Sequence, residues 1–75
     1  METFYTGALT ACNWCSTPFA AAVDTKMYDA KSQIGPWGNF CEKCFKFQTT
    51  RGELGAGRGQ EYTRQADGRW LKTGG

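Results

Sequence analysis

The sequence predicts one small α+β domain, and three observations predict it. Two C-x2-C pairs, Cys12/Cys15 and Cys41/Cys44, stand on either side of residues 16–40. A run with helical spacing begins at the second pair, and near the C-terminus Asp67-Gly68 lies between two aromatic-bearing segments of alternating character. A chain of 75 residues makes a single domain, residues 1–75, that buries only about 60% of the surface its unfolded form exposes. Such a domain needs a staple: disulfides, a metal or a partner subunit.

The cysteines supply the staple. Each C-x2-C folds back tightly enough to put two sulfurs on one ion, and two such hooks make a closed tetrahedral site of four thiolates. The spacing therefore predicts one structural Zn2+ held by Cys12, Cys15, Cys41 and Cys44. The sequence has no histidine, which removes His-ligated zinc and the Ser-His-Asp and Cys-His nucleophile systems. Three disulfide pairings, thiol exchange at Cys12-Asn13-Trp14-Cys15 and iron in the same site are the alternatives. A reducing compartment disfavours disulfides. Exchange chemistry needs a βαβ setting that this chain does not offer. Iron-sulfur knuckles of the rubredoxin type carry a glycine after the pair, and neither pair here has one.

In chain order, residues 1–11 form an N-terminal arm and residues 12–51 the zinc core. The core reads as a knuckle, a β-hairpin and a short helix, the treble-clef order. Residues 18–31 also match a helix: Thr17 as cap, Pro18 at the first helical position, and Phe19, Val23 and Met27 every four residues. Met27-Tyr28-Asp29-Ala30-Lys31-Ser32 reads instead as a strand followed by a tight turn that returns the chain to Cys41, and the hairpin is the reading adopted. A helix is expected over roughly residues 40–51, with Asn39 as N-cap and Glu42 completing a capping box. Phe40, Cys44 and Phe47 then share one face, and Lys43, Lys46 and Thr50 another. Arg51 falls in the last turn and Gly52 at the residue after the cap.

Residues 52–59 are a glycine-rich loop without the Lys-Ser/Thr ending of a phosphate-binding loop, which leaves a flexible connector. Residues 60–73 form the C-terminal hairpin, with Gln60–Arg64 and Arg69–Lys72 as strands about Ala66-Asp67-Gly68. Tyr62 and Trp70 are expected to meet across it and to pack on the helix face.

Residues 1–42 hold two lysines against four carboxylates, a net −2; residues 43–75 hold seven cations against three carboxylates, a net +4. The longest small apolar run, residues 19–23, is far short of the ~18 residues a membrane span needs, and Met1-Glu2-Thr3-Phe4-Tyr5 lacks the charge and apolar run of a signal peptide. A non-membrane protein of the cytoplasm is expected, as a monomer or small homo-oligomer. A four-thiolate zinc leaves no position for a reacting water, and Asp24 and Asp29 read as a solvated turn, so no catalysis is expected. The candidate partner-binding residues are Trp37, Arg58, Tyr62, Arg64, Arg69 and Trp70. Aromatics on a rigid frame suit a protein partner. The alternative is nucleic acid, with the arginines and Lys72 on phosphates and Tyr62 or Trp70 stacking on bases.

The runs Gly35-Pro36-Trp37-Gly38-Asn39-Phe40-Cys41-Glu42-Lys43-Cys44-Phe45 and Gly55-Ala56-Gly57-Arg58-Gly59-Gln60-Glu61-Tyr62 resemble small zinc-binding proteins of tailed bacteriophages. The likeness extends from about Cys12 to Trp70. It implies metal ligands at the four cysteines, no catalytic residues, and a viral protein acting inside a bacterial cell; the function expected of the chain is an accessory protein that binds and modulates a bacterial host protein. The chain departs from the pattern at Ala30, read as a turn position where such proteins carry glycine.

Overall fold

Lys26-Met27-Tyr28-Asp29-Ala30-Lys31 forms the strand around which the molecule is built, in a computed structural model that describes residues 2–7, 9–49 and 52–75. The elements are β1 (Lys26–Lys31), β2 (Trp37–Phe40), α1 (Glu42–Gln48), β3 (Gly59–Arg64) and β4 (Trp70–Gly74). One antiparallel sheet in the order β2-β1-β3-β4 carries all four strands. Adjacent residues of a strand point to opposite faces, so Met27 faces one side of the sheet while Tyr28 and Ala30 face the other.

Both sides are covered. Tyr28, Ala30 and Phe40 pack with Phe45 of α1 and with Cys12 and Cys44, and Phe45 stacks on Tyr28 with ring centroids 4.1 Å apart. Met27, Tyr62 and Trp70 form the second cluster, closed by Tyr5, Leu9 and Phe19. Phe19 meets Trp70 edge-on at 5.7 Å, Tyr5 meets Tyr62 at 5.5 Å, and Phe19 touches both clusters. The arm also pairs with β4: Phe4 bridges Leu71, Tyr5 N–H donates to the Trp70 carbonyl, and Lys72 N–H donates to the Thr3 carbonyl. An edge covered in this way is no longer open to another chain.

The hairpin reading holds, and the helical alternative for residues 18–31 fails among the described residues. β1 pairs on both sides, with β2 through Tyr28–Phe40 and Ala30–Gly38 and with β3 through Met27–Tyr62. Val23 is exposed and Asp24 takes a positive φ of 70°, so Phe19, Val23 and Met27 do not share a face. Ala30 is not in the turn. It sits fully buried in β1 opposite Gly59, where a Cβ on Gly59 would stand 2.9 Å from that of Ala30. The close crossing of β1 and β3 therefore uses alanine against glycine, and Gly59 belongs to the strand, not to the loop before it. The turn between β1 and β2 spans residues 32–36, with Gly35 at φ 119°.

The helix differs from the expected one at its start. Asn39 lies in β2, and Cys41, at φ −72° and ψ 166°, is the N-cap residue, with no side-chain capping bond. Glu42 thus opens the helix, where its charge suits the dipole, and no capping box forms. Starting at residue 42 turns Cys44 and Phe45 inward and leaves Phe47 69% exposed, so Phe45 replaces Phe47 on the core face. The helix closes at Thr49, not at Gly52; Thr50 and Arg51, assigned to its last turn from sequence, lie outside the described residues. The C-terminal hairpin forms over the expected residues, with Gly68 at φ 87° and Asp67 accepting from Arg69 N–H. Tyr62 and Trp70 share a cluster, but on the arm side of the sheet and not against the helix. Among the described residues no helix is long and apolar enough to cross a membrane.

Candidate metal centre

Cys12 and Cys15 sit in a tight turn. Ser16 N–H donates to the Cys12 carbonyl, Cys12 N–H to the Thr17 carbonyl, and Ala11 bridges Pro18. The left-handed position that closes the turn is Ser16, at φ 64°, so the knuckle forms without glycine. Trp14 N–H points at Cys12 Sγ, 3.4 Å away, a contact that stabilises a thiolate. Asn13 ties the turn to the sheet: its N–H donates to the Asn39 carbonyl at 2.8 Å and its Oδ1 accepts from Asn39 N–H at 2.7 Å. Tyr5 O–H donates to Asn39 Oδ1. The residue expected to cap the helix instead docks the knuckle and the arm on β2.

Cys41 and Cys44 come from the first turn of α1, one residue beyond the end of β2. The four sulfurs lie within 4.8 Å of one another, and Cys15 Sγ is 3.8 Å from Cys41 Sγ. Four thiolates ~2.3 Å from one ion stand about 3.8 Å apart along each tetrahedron edge. A disulfide needs about 2.05 Å, and all four cysteines are free thiols. The donor set therefore fits a single metal ion.

The ligands are unequal in their surroundings. Cys12, 2% exposed, and Cys44 are buried; Cys41 is half-buried and Cys15 exposed. Hydrogen bonds from the Thr17 hydroxyl and backbone bring the Cys15 thiol down to about 6. Burial pushes the Cys41 and Cys44 thiols up, reinforced at Cys44 by its cysteine neighbours. A metal ion reverses that preference, because it binds the thiolate and displaces the proton.

The other sequence-predicted site residues are dispersed. Trp70 is 6% exposed and Tyr62 is also buried, so neither ring presents a face for stacking. Arg58 pairs with Glu53 and Arg69 with Asp67; Arg69 also lies over the Phe4 ring and Arg64 over Trp70. Trp37 stands at the exposed end of β2, across the knuckle from Trp14. Asn13 and Ser32 were not singled out in the sequence, and Thr17 was read only as the cap of the alternative helix. Hydroxyl and amide side chains are common in turns, and only the folded contacts, Asn13 with Asn39 and Thr17 with Cys15, separate those two from the rest. No protein-family model, curated protein or solved structure matches the chain.

Proposed function

We propose that the chain is a non-catalytic binding module built on one structural zinc ion in a treble-clef arrangement. It acts as a bacteriophage accessory protein that engages a bacterial host protein in the host cytoplasm. The observation that carries the zinc reading is the sulfur cluster: a knuckle and a helix start, on either side of a hairpin, bring four thiols within 4.8 Å of one another. Zinc suits a closed four-thiolate site and does no chemistry there. Binding worth ~10–16 kcal/mol in small zinc domains equals or exceeds the stability of a domain this size, so the ion sets the fold.

A protein partner is supported by where the unburied aromatics lie. Trp14 and Trp37 are exposed and neighbouring, whereas Phe45, Tyr62 and Trp70 of the basic half are committed to the core and Phe47 stands exposed by itself on α1. Native mass spectrometry of the protein purified without chelator should give one zinc per chain, and a strong chelator at neutral pH should abolish the folded circular dichroism. Retained structure with no metal refutes the zinc reading. Immobilised zinc-loaded protein should retain a specific protein from nuclease-treated bacterial lysate. Retention that disappears with nuclease treatment refutes the protein-partner reading.

A further inference from the structure

The four cysteines of the metal centre divide into an inner and an outer pair. Cys12 and Cys44 are buried among Tyr28, Ala30, Phe40 and Phe45, whereas Cys15 is exposed and Cys41 half-buried. Cys12 is held further by its turn: its Sγ accepts from Trp14 N–H, and its backbone bonds to Ser16 and Thr17. The outer pair is freer. Cys15 Sγ meets only the hydroxyl of Thr17, itself exposed, outside the sulfur cluster. Cys41 precedes α1 in extended backbone and makes no side-chain capping bond, so its sulfur can move without disturbing a helical turn.

The outer pair also links the two hooks. Cys15 Sγ lies 3.8 Å from Cys41 Sγ, and closing that gap to the roughly 2.05 Å of a disulfide moves each sulfur by about 0.9 Å. A zinc ligand is a thiolate, and oxidation of cysteine follows thiolate character and access. Of four bound thiolates, the exposed one therefore meets an oxidant first.

We propose that Cys15 and Cys41 are a peroxide-sensitive pair whose oxidation to a disulfide empties the zinc site. The Cys15 thiolate attacks one peroxide oxygen. The S–O bond forms, the O–O bond breaks, and the departing hydroxide takes a proton to become water. The Cys41 thiolate then attacks the oxidised sulfur; the S–S bond forms, the S–O bond breaks, and a second water leaves. The two sulfurs together lose two electrons, which the peroxide gains. Cys12 and Cys44 each take up a proton as the ion departs. Losing two of four thiolates weakens binding by about four to six orders of magnitude. Two equivalents of a small thiol reverse the oxidation, the behaviour of a transient, redox-sensing disulfide in a reducing compartment. The switch rests on the zinc reading given above and adds its regulation.

The test treats the zinc-loaded full chain with one equivalent of hydrogen peroxide, alkylates the remaining thiols, and maps a tryptic digest without reduction. Cleavage after Lys26, Lys31, Lys43 and Lys46 separates Cys41 from Cys44, and fragmentation of residues 1–26 separates Cys15 from Cys12. The dominant link should join Cys15 to Cys41, with one zinc released per disulfide to a chromogenic chelator. Dithiothreitol with added zinc should restore the starting thiol count. Under limiting N-ethylmaleimide, Cys15 of the zinc-loaded chain should react about ten-fold faster than Cys44. Cys41→Ser removes the second sulfur, so peroxide should leave a dimedone-reactive sulfenic acid at Cys15; if that variant fails to fold, the map of the unsubstituted chain decides alone. A dominant Cys12–Cys15 or Cys41–Cys44 link, zinc kept after the disulfide forms, or first oxidation at Cys12 or Cys44 overturns the proposal and leaves the zinc reading standing. A chain that takes up no zinc refutes that reading, whatever its disulfide map.

Discussion

Replacing the cysteines one at a time should give two distinct outcomes, because the four ligands differ in access to water. Zinc binding of ~10–16 kcal/mol, shared evenly over four thiolates, is about 2.5–4 kcal/mol per ligand. At about 1.4 kcal/mol per tenfold, removing one thiolate weakens the site by about two to three orders of magnitude. Cys15 is exposed, so in Cys15→Ala a water can take the vacated position and recover part of that loss. The variant should stay folded and bind metal at micromolar protein. Cys44 is buried against Phe45 and the sheet, where no water replaces the sulfur. Cys44→Ala should lose the metal and, with it, the fold. Titration with Co2+, read by visible absorption alongside far-ultraviolet circular dichroism, separates the two: Cys15→Ala should keep a tetrahedral spectrum with weakened thiolate bands, and Cys44→Ala should show neither spectrum nor structure. Equal loss of metal by both variants would refute the argument from burial, and retention by Cys44→Ala alone would reverse it.

Three further outcomes follow from the packing. Gly59→Val should destabilise the zinc-loaded protein by about 1–3 kcal/mol in urea titrations, since its Cβ would meet Ala30 Cβ at 2.9 Å and Phe45 at 3.3 Å; adding Ala30→Gly should recover part of the loss. Trp70→Ala should cost about 3–5 kcal/mol by the same measurement, against about 0.5 kcal/mol or less for the exposed Trp37→Ala. Burial raises the Asp29 carboxyl above its ordinary value, and its cross-strand neighbours Asn39 and Gln60 bring no positive charge. A raised carboxyl contributes stability below its unfolded value and loses it as pH rises through the folded one. Asp29→Asn should therefore raise Tm at pH 7, with the gain fading as pH falls into the carboxylate range.

The cysteine cluster and the C-terminal hairpin were legible because their signals are local. Two C-x2-C pairs reach one ion whatever the intervening chain does, and Asp67-Gly68 directs a turn through the φ that glycine permits. The start of α1 was not legible for a competing reason. Asn39 and Glu42 have the spacing of a capping box, but Asn39 is held in β2 by Asn13 and Tyr5, and Cys41 takes the cap position. Phe45 takes the core place expected of Phe47 because α1 docks on the sheet through the stack of Phe45 on Tyr28. Ala30, read as a turn residue, proved to be the small residue that lets β3 approach β1.

The amino-acid sequence by itself determined the clustering of four cysteines, the exclusion of histidine chemistry and the presence of two hairpins, since each depends on residue type and short spacing. Tertiary structure alone decided which aromatics are free. Tyr62 and Trp70 sit in the basic half and read as interface residues, yet the arm folds back over the sheet and buries them with Met27. Trp14 and Trp37 are left at the surface because the knuckle, docked through Asn13, covers only half of the β2 edge. Burial depends on which distant segment covers a face, and no local pattern of residues carries that information.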